Sequence, residues 1–280
     1  MSQREFSQVN CQKYDTVDEF QQEVLEWWNE NSRQLPWRED PTPYHVLVSE
    51  VMLQQTQVSR VVPKYLEFLE KFPDFESLAN ADTRHLLQVW SGLGYNRRAL
   101  WLRNAAQEIL RRGEFPKEEE ELRELKGIGH YTSRSILIFA FNRDLATVDT
   151  NIRRVLISSG FATEEMSRSE VQDVAERLLP KGMSRDWHNA LMDYGSLVLT
   201  SNATGITPKS TQSRFSGSSR EIRGVVIQLM IENDEMTVNQ LSSEIEQRNL
   251  DSTELMEIVG QLVEEGFLTY TDSGTLSIAG

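Results

Sequence analysis

From residue 16 to residue 200, apolar side chains recur at three- and four-residue spacing, and no run alternates as a half-buried strand would. That periodicity commits the first part of the chain to successive amphipathic helices. VDEFQQEVLEWW places Phe20, Val24, Trp27 and Trp28 on one side of a helix. YHVLVSEVMLQQTQV reads as a second helix, so apolar that most of it must be buried. Val62, Tyr65, Leu66 and Leu69 mark the inward face of a third. Breaks fall at Phe72-Pro73, at Gly92-Leu93-Gly94 and at Gly113.

The pattern changes after residue 200. TSNATGITPKSTQSRFSGSS (200–219) is rich in Ser, Thr and Gly and reads as a linker. Beyond it come REIRGVVIQLMIEN, TVNQLSSEIEQ with Thr237 as an N-cap, and DSTELMEIVGQLVEEG. FLTYT and TLSIA then flank Asp272-Ser273-Gly274, a hairpin signal. Three helices followed by a hairpin is the order of a winged helix. The expected organisation is a helical domain over 1–200, a linker over 201–219 and a small winged-helix-like α+β domain over 220–280.

The 280 residues carry a formal net charge of −14, which taken alone argues against nucleic acid as a partner. The distribution changes this. Residues 217–280 hold twelve acidic residues against three arginines, a net of −9, so residues 1–216 carry only −5. Arginine pairs 97–98, 111–112 and 153–154 lie in that first part, where they form either a basic face or ordinary solvated helix surface. No apolar run is long enough to span a membrane, and the first residues lack the apolar core of a secretion signal. A monomer inside the cell, cytoplasmic (nucleoid-associated) or nuclear, is expected. The single cysteine, Cys11, excludes an intrachain disulfide and a cysteine-ligated metal site.

Three segments carry candidate chemistry. In Leu125-Lys126-Gly127-Ile128-Gly129-His130-Tyr131-Thr132, two glycines precede an apolar helix. They allow a tight hairpin and leave backbone N–H groups at a helix N-terminus, where a phosphate binds well. A plain interhelical turn explains the same residues. Asp149, between an apolar run and a helical pattern, reads as an N-cap, a functional carboxylate, or both. Glu50 sits inside a nearly continuous apolar helix and must be paired or functional, because burying a lone carboxylate is costly.

LPWREDPTPYHVLVSEVMLQQTQV, WSGLGYNRRAL, LKGIGHYTSRSILIFAF and VDTNIRRVL, taken together and in this order, resemble the helix–hairpin–helix DNA glycosylase superfamily, most closely its MutY-type adenine DNA glycosylases. The resemblance covers roughly residues 16–200. It implies an all-α fold of two helical lobes with a DNA-facing pocket between them. It implies that Gly127, Ile128, Gly129 and Thr132 belong to the element that holds the phosphate backbone. Asp149 would stabilise positive charge on the sugar, and Glu50 would protonate the departing base. Tyr131 stands where bifunctional relatives such as endonuclease III carry a lysine nucleophile, so lyase activity is not expected. Gln55 and Tyr95 match residues that wedge into the duplex; Trp37, Arg38 and Asn151 match residues of the base pocket.

Three departures accompany the resemblance. The family's four cysteines after the stretch matching MDYGSLVLT are replaced by Leu199, Ile206, Lys209 and Phe215, so no iron–sulfur cluster and no other cofactor or metal is expected. Packing must hold that loop instead, with Phe215 as the candidate anchor. An acidic tail stands in place of the family's C-terminal domain that reads oxidised guanine. Asn96 follows Tyr95, where a second Tyr is common.

The expected function is therefore monofunctional excision of a mispaired base from double-stranded DNA, with adenine opposite 8-oxoguanine or guanine as substrate. A thymine or uracil mismatch glycosylase of the same superfamily is the nearest alternative. A non-catalytic winged-helix DNA-binding or regulatory protein is the alternative from another class. The would-be recognition helix, DSTELMEIVGQLVEEG, argues against it, since it carries acidic side chains and no Lys or Arg. The tail reads as a packing module or a surface for a protein partner.

Overall fold

The computed structural model describes residues 14–207, 215 and 217–280. Cys11 and Lys209 lie outside the described residues. In chain order the helices are α1 (Val17–Asn31), α2 (Pro36–Glu39), α3 (Pro43–Leu53), α4 (Val58–Lys71), α5 (Phe75–Ala79), α6 (Thr83–Trp90), α7 (Arg97–Arg112), α8 (Glu119–Arg123), α9 (His130–Phe141), α10 (Thr150–Ser158), α11 (Arg168–Arg177), α12 (Ser184–Leu197), α13 (Ser201–Thr204), α14 (Ser219–Glu232), α15 (Val238–Gln247) and α16 (Leu255–Glu264). Two short strands close the chain, β1 (Leu268–Tyr270) and β2 (Leu276–Ile278). The fold is helical, as the periodicity requires.

Two compact units make up the chain. One is built from Pro116–Glu124 and the described residues of Met1–Glu50 and Ile128–Thr211. Its core joins Phe20 and Val24 of α1 to Ile152, Val155 and Leu156 of α10 and to Trp187 and Leu191 of α12. Phe20 meets the Trp187 ring edge-on at 5.5 Å and Phe161 at 4.9 Å, geometries that aromatic quadrupoles favour. Thr16 caps α1 by accepting from the Glu19 N–H, and a Ser167–Glu170 capping box opens α11.

The other unit comprises Val51–Phe115, Leu125–Gly127 and the described residues of Gln212–Gly280. Helix α4 buries Val61, Tyr65 and Phe68. Of the face expected from sequence only Tyr65 is buried, and Leu66 is 54% exposed. The inward stripe is rotated because Phe68, rather than Leu69, packs on the Trp90 ring, 6.0 Å away. The helix expected across 44–58 also stops short. It ends at Leu53, because Gln55 takes a left-handed conformation with φ 56°.

The residue that closes this turn is Arg98 of α7. Its guanidinium is buried and donates to the carbonyls of Val51, Met52 and Gln54 (2.9, 2.8 and 2.7 Å) at the C-terminal end of α3. It also donates to the Thr56 hydroxyl (3.1 Å) and to the Leu93 and Gly94 carbonyls (3.2 and 2.9 Å). Helix ends leave such carbonyls without intrahelical partners, and a cation there also meets the negative end of the dipole. Burial pulls this guanidinium down to about 10, still cationic at neutral pH.

The C-terminal segment expected as a small domain shares this unit with α4–α7. Helices α14–α16 surround Val226, Met230, Leu241, Ile245, Leu262 and Phe267. Strands β1 and β2 pair antiparallel, Leu268 opposite Ile278 and Tyr270 opposite Leu276, and Met236 adds a bridge to Leu276. Arg84 of α6 grips the C-terminal end of α14, donating to the carbonyls of Met230 (2.8 Å), Ile231 (2.9 Å) and Asn233 (3.1 Å).

Replacing Arg98 with Lys keeps the charge but loses the planar fork, leaving several buried carbonyls without donors. R98K is expected to lose about 3 kcal/mol or more of stability. Chemical denaturation checks this, and a midpoint within error of wild type would contradict it.

Candidate active site

The site grows from the segment ahead of α10. Ala146 is held from three sides: its carbonyl accepts from Arg134 Nε (2.6 Å) and Gln172 Nε2 (2.7 Å), and its N–H donates to Glu176 (3.1 Å). The Thr147 N–H donates to His188 Nε2 at 3.0 Å, and His188 Nδ1 lies 2.7 Å from the Ser184 carbonyl. His188 therefore carries its proton on Nδ1 and is neutral. Burial drives its pKa down to about 4. These contacts fix the backbone that delivers Asp149.

Asp149 is the N-cap of α10, accepting from the Ile152 N–H at 2.7 Å. Its second oxygen accepts from Asn151 Nδ2 at 2.9 Å. Asn151 in turn accepts from Arg154 Nη2 at 2.6 Å, and Arg154 also donates to the Gly195 and Leu199 carbonyls. Gly195 lets α12 come this close: a Cβ there would lie 2.8 Å from the Asn151 carbonyl and 2.9 Å from its Cβ. Sequence reasoning missed Gly195, His188 and Arg154 as supports. Their partners lie dozens of residues away, where periodicity carries no signal.

Glu50 of α3 lies close enough to Asp149 to feel its charge. Both carboxylates keep part of their surface open, yet the surrounding protein strips most of their water. Burial is the main force on Glu50 and lifts its pKa to about 7; the Ser135 hydroxyl pulls it down and the Asp149 charge pushes it up. Burial also raises Asp149, but the Ile152 and Asn151 donors and the Arg154 charge all oppose that. The two environments differ in kind. Glu50 has one neutral partner and a neighbouring anion, whereas Asp149 has several donors and a cation. Of the two, Glu50 is the carboxyl its surroundings favour in the protonated form, and Asp149 the one they favour as a carboxylate.

Tyr131 joins them. Its ring is partly exposed, but its hydroxyl end is desolvated, and burial together with Glu50 and Asp149 holds the phenol well above its ordinary pKa. It is a neutral donor at any physiological pH. Ser135, one helical turn along α9, interacts with both Glu50 and Tyr131.

The other expected residues fall into two groups. Gly127 (φ 86°) and Gly129 shape the hairpin, and α9 begins at Gly129 without a side-chain cap. A Cβ on Gly127 would strike the Trp101 ring at 2.5 Å. Ile128 and Thr132 are buried beneath this turn. Gln55 and Tyr95 are both exposed and both left-handed, Tyr95 with φ 47°. Trp37 is buried, and Arg38 is committed to Asp193, donating to its two oxygens at 2.8 and 2.9 Å. Asp193, buried, also accepts from Trp28 Nε1, Arg33 Nε and the Arg33 N–H. The Arg38 charge is thus spent on an ion pair with a buried carboxylate.

The segment expected to need an anchor after α12 is held differently than predicted. Phe215 is 58% exposed, and among the described residues the contacts lie earlier: Arg154 holds the Leu199 carbonyl, Thr200 caps α13, and Ile206 is buried. Leu199, Ile206 and Phe215 offer no thiolate, so the side chains present do not fit a cysteine-held iron–sulfur cluster. Among the described residues no group of three or more His, Cys, Asp or Glu is placed to hold a metal ion.

Glu50, Tyr131 and the helix-capping Asp149 thus form one desolvated, electrostatically linked cluster. Residues 48–181 match the family model described as HhH-GPD superfamily base excision DNA repair protein, and the chain belongs to that superfamily. It is 31% identical to an adenine DNA glycosylase of Mycolicibacterium smegmatis, over 92% of this chain and 95% of that one. It is 34% identical to the Homo sapiens adenine DNA glycosylase, over 66% of this chain but only 36% of that longer protein. Among solved structures, a thermostable thymine-DNA glycosylase is 27% identical with a TM-score of 0.60, covering 66% of this chain and 88% of that one. An endonuclease III–DNA complex shares the fold at 20% identity and a TM-score of 0.60, over 70% of this chain and 91% of that one.

Two outcomes test the geometry. Gly195→Ala should push Asn151 off Asp149, costing about 1–3 kcal/mol of stability and a larger share of activity than of fold; thermal melts and base-release rates read both. Glu50→Gln should melt higher than wild type at pH 8. Folding raises the Glu50 pKa from 4.5 to about 7, so stability is fully present below 4.5 and is lost as pH rises through 7. Gln carries no such dependence, and the difference should close toward pH 4.5.

Proposed function

We propose that the chain is a monofunctional DNA glycosylase that releases adenine mispaired with 8-oxoguanine or guanine in double-stranded DNA. The observation that carries this reading is the split environment of Glu50 and Asp149. A base inside a duplex is out of reach, so the target nucleotide must first be turned out of the stack. In this reading the hairpin at Gly127–Gly129 takes the phosphate backbone, and Gln55 and Tyr95 fill the space the base leaves.

Adenine is a poor leaving group as an anion. The Glu50 carboxyl gives its proton to a ring nitrogen as the N-glycosidic bond breaks, so the base departs neutral. The Asp149 carboxylate faces the positive charge that develops on the sugar. Water then adds to the anomeric carbon and gives up a proton, which restores the acid. Tyr131 donates a hydrogen bond but has no amine, so no Schiff base forms and the backbone is left uncut. With one cysteine in the chain, this chemistry proceeds without an iron–sulfur cluster.

The thymine-DNA glycosylase among the structural neighbours supports a second substrate reading, thymine or uracil opposite guanine. A pyrimidine leaves as a stabilised anion with less need of an acid, so the two readings differ in their dependence on Glu50.

Base release from a panel of mismatched duplexes tests the proposal. Adenine release should fall about tenfold per pH unit well above pH 7, as Glu50 loses its proton. Glu50→Gln should be inactive on adenine, and Asp149→Asn should lose at least about 10²-fold in rate with duplex binding largely kept. Preference for thymine with Glu50→Gln active would favour the second reading, and borohydride trapping of a covalent adduct would contradict the role given to Tyr131.

A further inference from the structure

The acidic C-terminal segment places one of its three arginines against the exposed Tyr95. Arg220, in the first turn of α14, donates from Nη1 to the Tyr95 hydroxyl at 2.6 Å, with its guanidinium 5.7 Å from the ring centroid. We propose that Arg220 is a duplex-contacting residue, through which the C-terminal segment binds a backbone phosphate beside the Tyr95 wedge. This rests on the reading of Tyr95 given above.

Four observations carry it. Tyr95 is held rigidly: its backbone is left-handed, the two residues before it are tied to Arg98, and the Arg98 guanidinium lies 5.6 Å from its ring. Its neighbour Arg220 meets it through the hydroxyl and the ring. A side chain that enters a duplex between base pairs has backbone phosphates within one side chain's length, so a guanidinium at the Tyr95 hydroxyl reaches them. The first turn of α14 adds the positive end of a fourteen-residue helix. The acidity of the segment is partly offset, because Glu265 is bracketed by Arg97 and Arg223, while Glu221 shares the first turn of α14 with Arg220.

The segment is also built to hold this position. Arg84 grips the end of α14 and the Ser91 hydroxyl meets Gln228 at 3.2 Å, both from the same compact unit as Tyr95. A tethered module would lose a weak contact to motion; this one keeps it.

Affinity of the full chain for an adenine-mismatched duplex, measured across salt concentrations, tests the proposal. One phosphate contact contributes about 0.9 to the slope of log affinity against log salt. Arg220→Ala should lower the slope by about one and weaken binding severalfold at low salt. Arg220→Lys should restore the slope, since a phosphate needs only the charge. Arg248→Ala removes the same charge elsewhere in the segment and should leave the slope alone. An unchanged slope for Arg220→Ala, an equal loss for Arg248→Ala, or tighter binding by Arg220→Ala would each overturn the proposal. Tighter binding would make the contact a latch that keeps Tyr95 out of the duplex. Wild type without duplex affinity would instead overturn the proposed function itself.

Discussion

A single buried cation organises two exposed turns, those of Gln55 and Tyr95. The Arg98 guanidinium sits among carbonyls at the end of α3 and in the turn before α7, and these carbonyls belong to the segments that hold Gln55 and Tyr95 in left-handed conformations. Non-glycine residues in that region are strained, typically by 1–3 kcal/mol or so each, and persist only where the surroundings over-determine them. Arg98 supplies that over-determination from below with six short hydrogen bonds to oxygen. It also stops α3 at Leu53, and so fixes how far Glu50 stands from the end of its helix.

The carboxylate pair shows a second economy of parts. Asp149 is at once the cap of α10 and the carboxylate with the larger set of donors. Its capping hydrogen bonds stabilise the helix and, by the same contacts, favour its charged form against burial. Glu50 has no comparable set of donors and lies where burial wins. The two carboxyl groups thus differ through their backbone settings: one is mid-helix, where N–H groups are already used, and the other is at a helix start, where they are available.

Much of this was legible in the sequence, for reasons that can be named. Glu50 stood out because a charge inside an apolar helix is expensive, and Asp149 because a helix must begin where an apolar run meets a polar one. The glycine hairpin was legible because few residues tolerate its turn. The inward face of α4 was misjudged by about one position, since Leu66 and Phe68 are equally apolar and only the location of Trp90 decides between them. Phe215 looked like an anchor by composition and is exposed. The left-handed turns at Gln55 and Tyr95 gave no local sign, being imposed by Arg98 across 40 or more residues in one case. Asp193, which gathers Arg33, Arg38 and Trp28, was invisible for the same reason: its partners are 155 to 165 residues away.

The contact between Gly127 and Trp101 has an optical consequence. The indole lies against the hairpin backbone where any side chain would sit, and it is only partly covered. Its emission depends on the polarity and charge next to it, so a charged group docking at the hairpin would change its colour or its yield. The chain has six tryptophans, and Trp90 and Trp187 are fully enclosed. A polar quencher dissolved in the buffer would silence Trp101 before those two. The hairpin that gives the family its name therefore comes with a built-in fluorophore, reporting occupancy without a label.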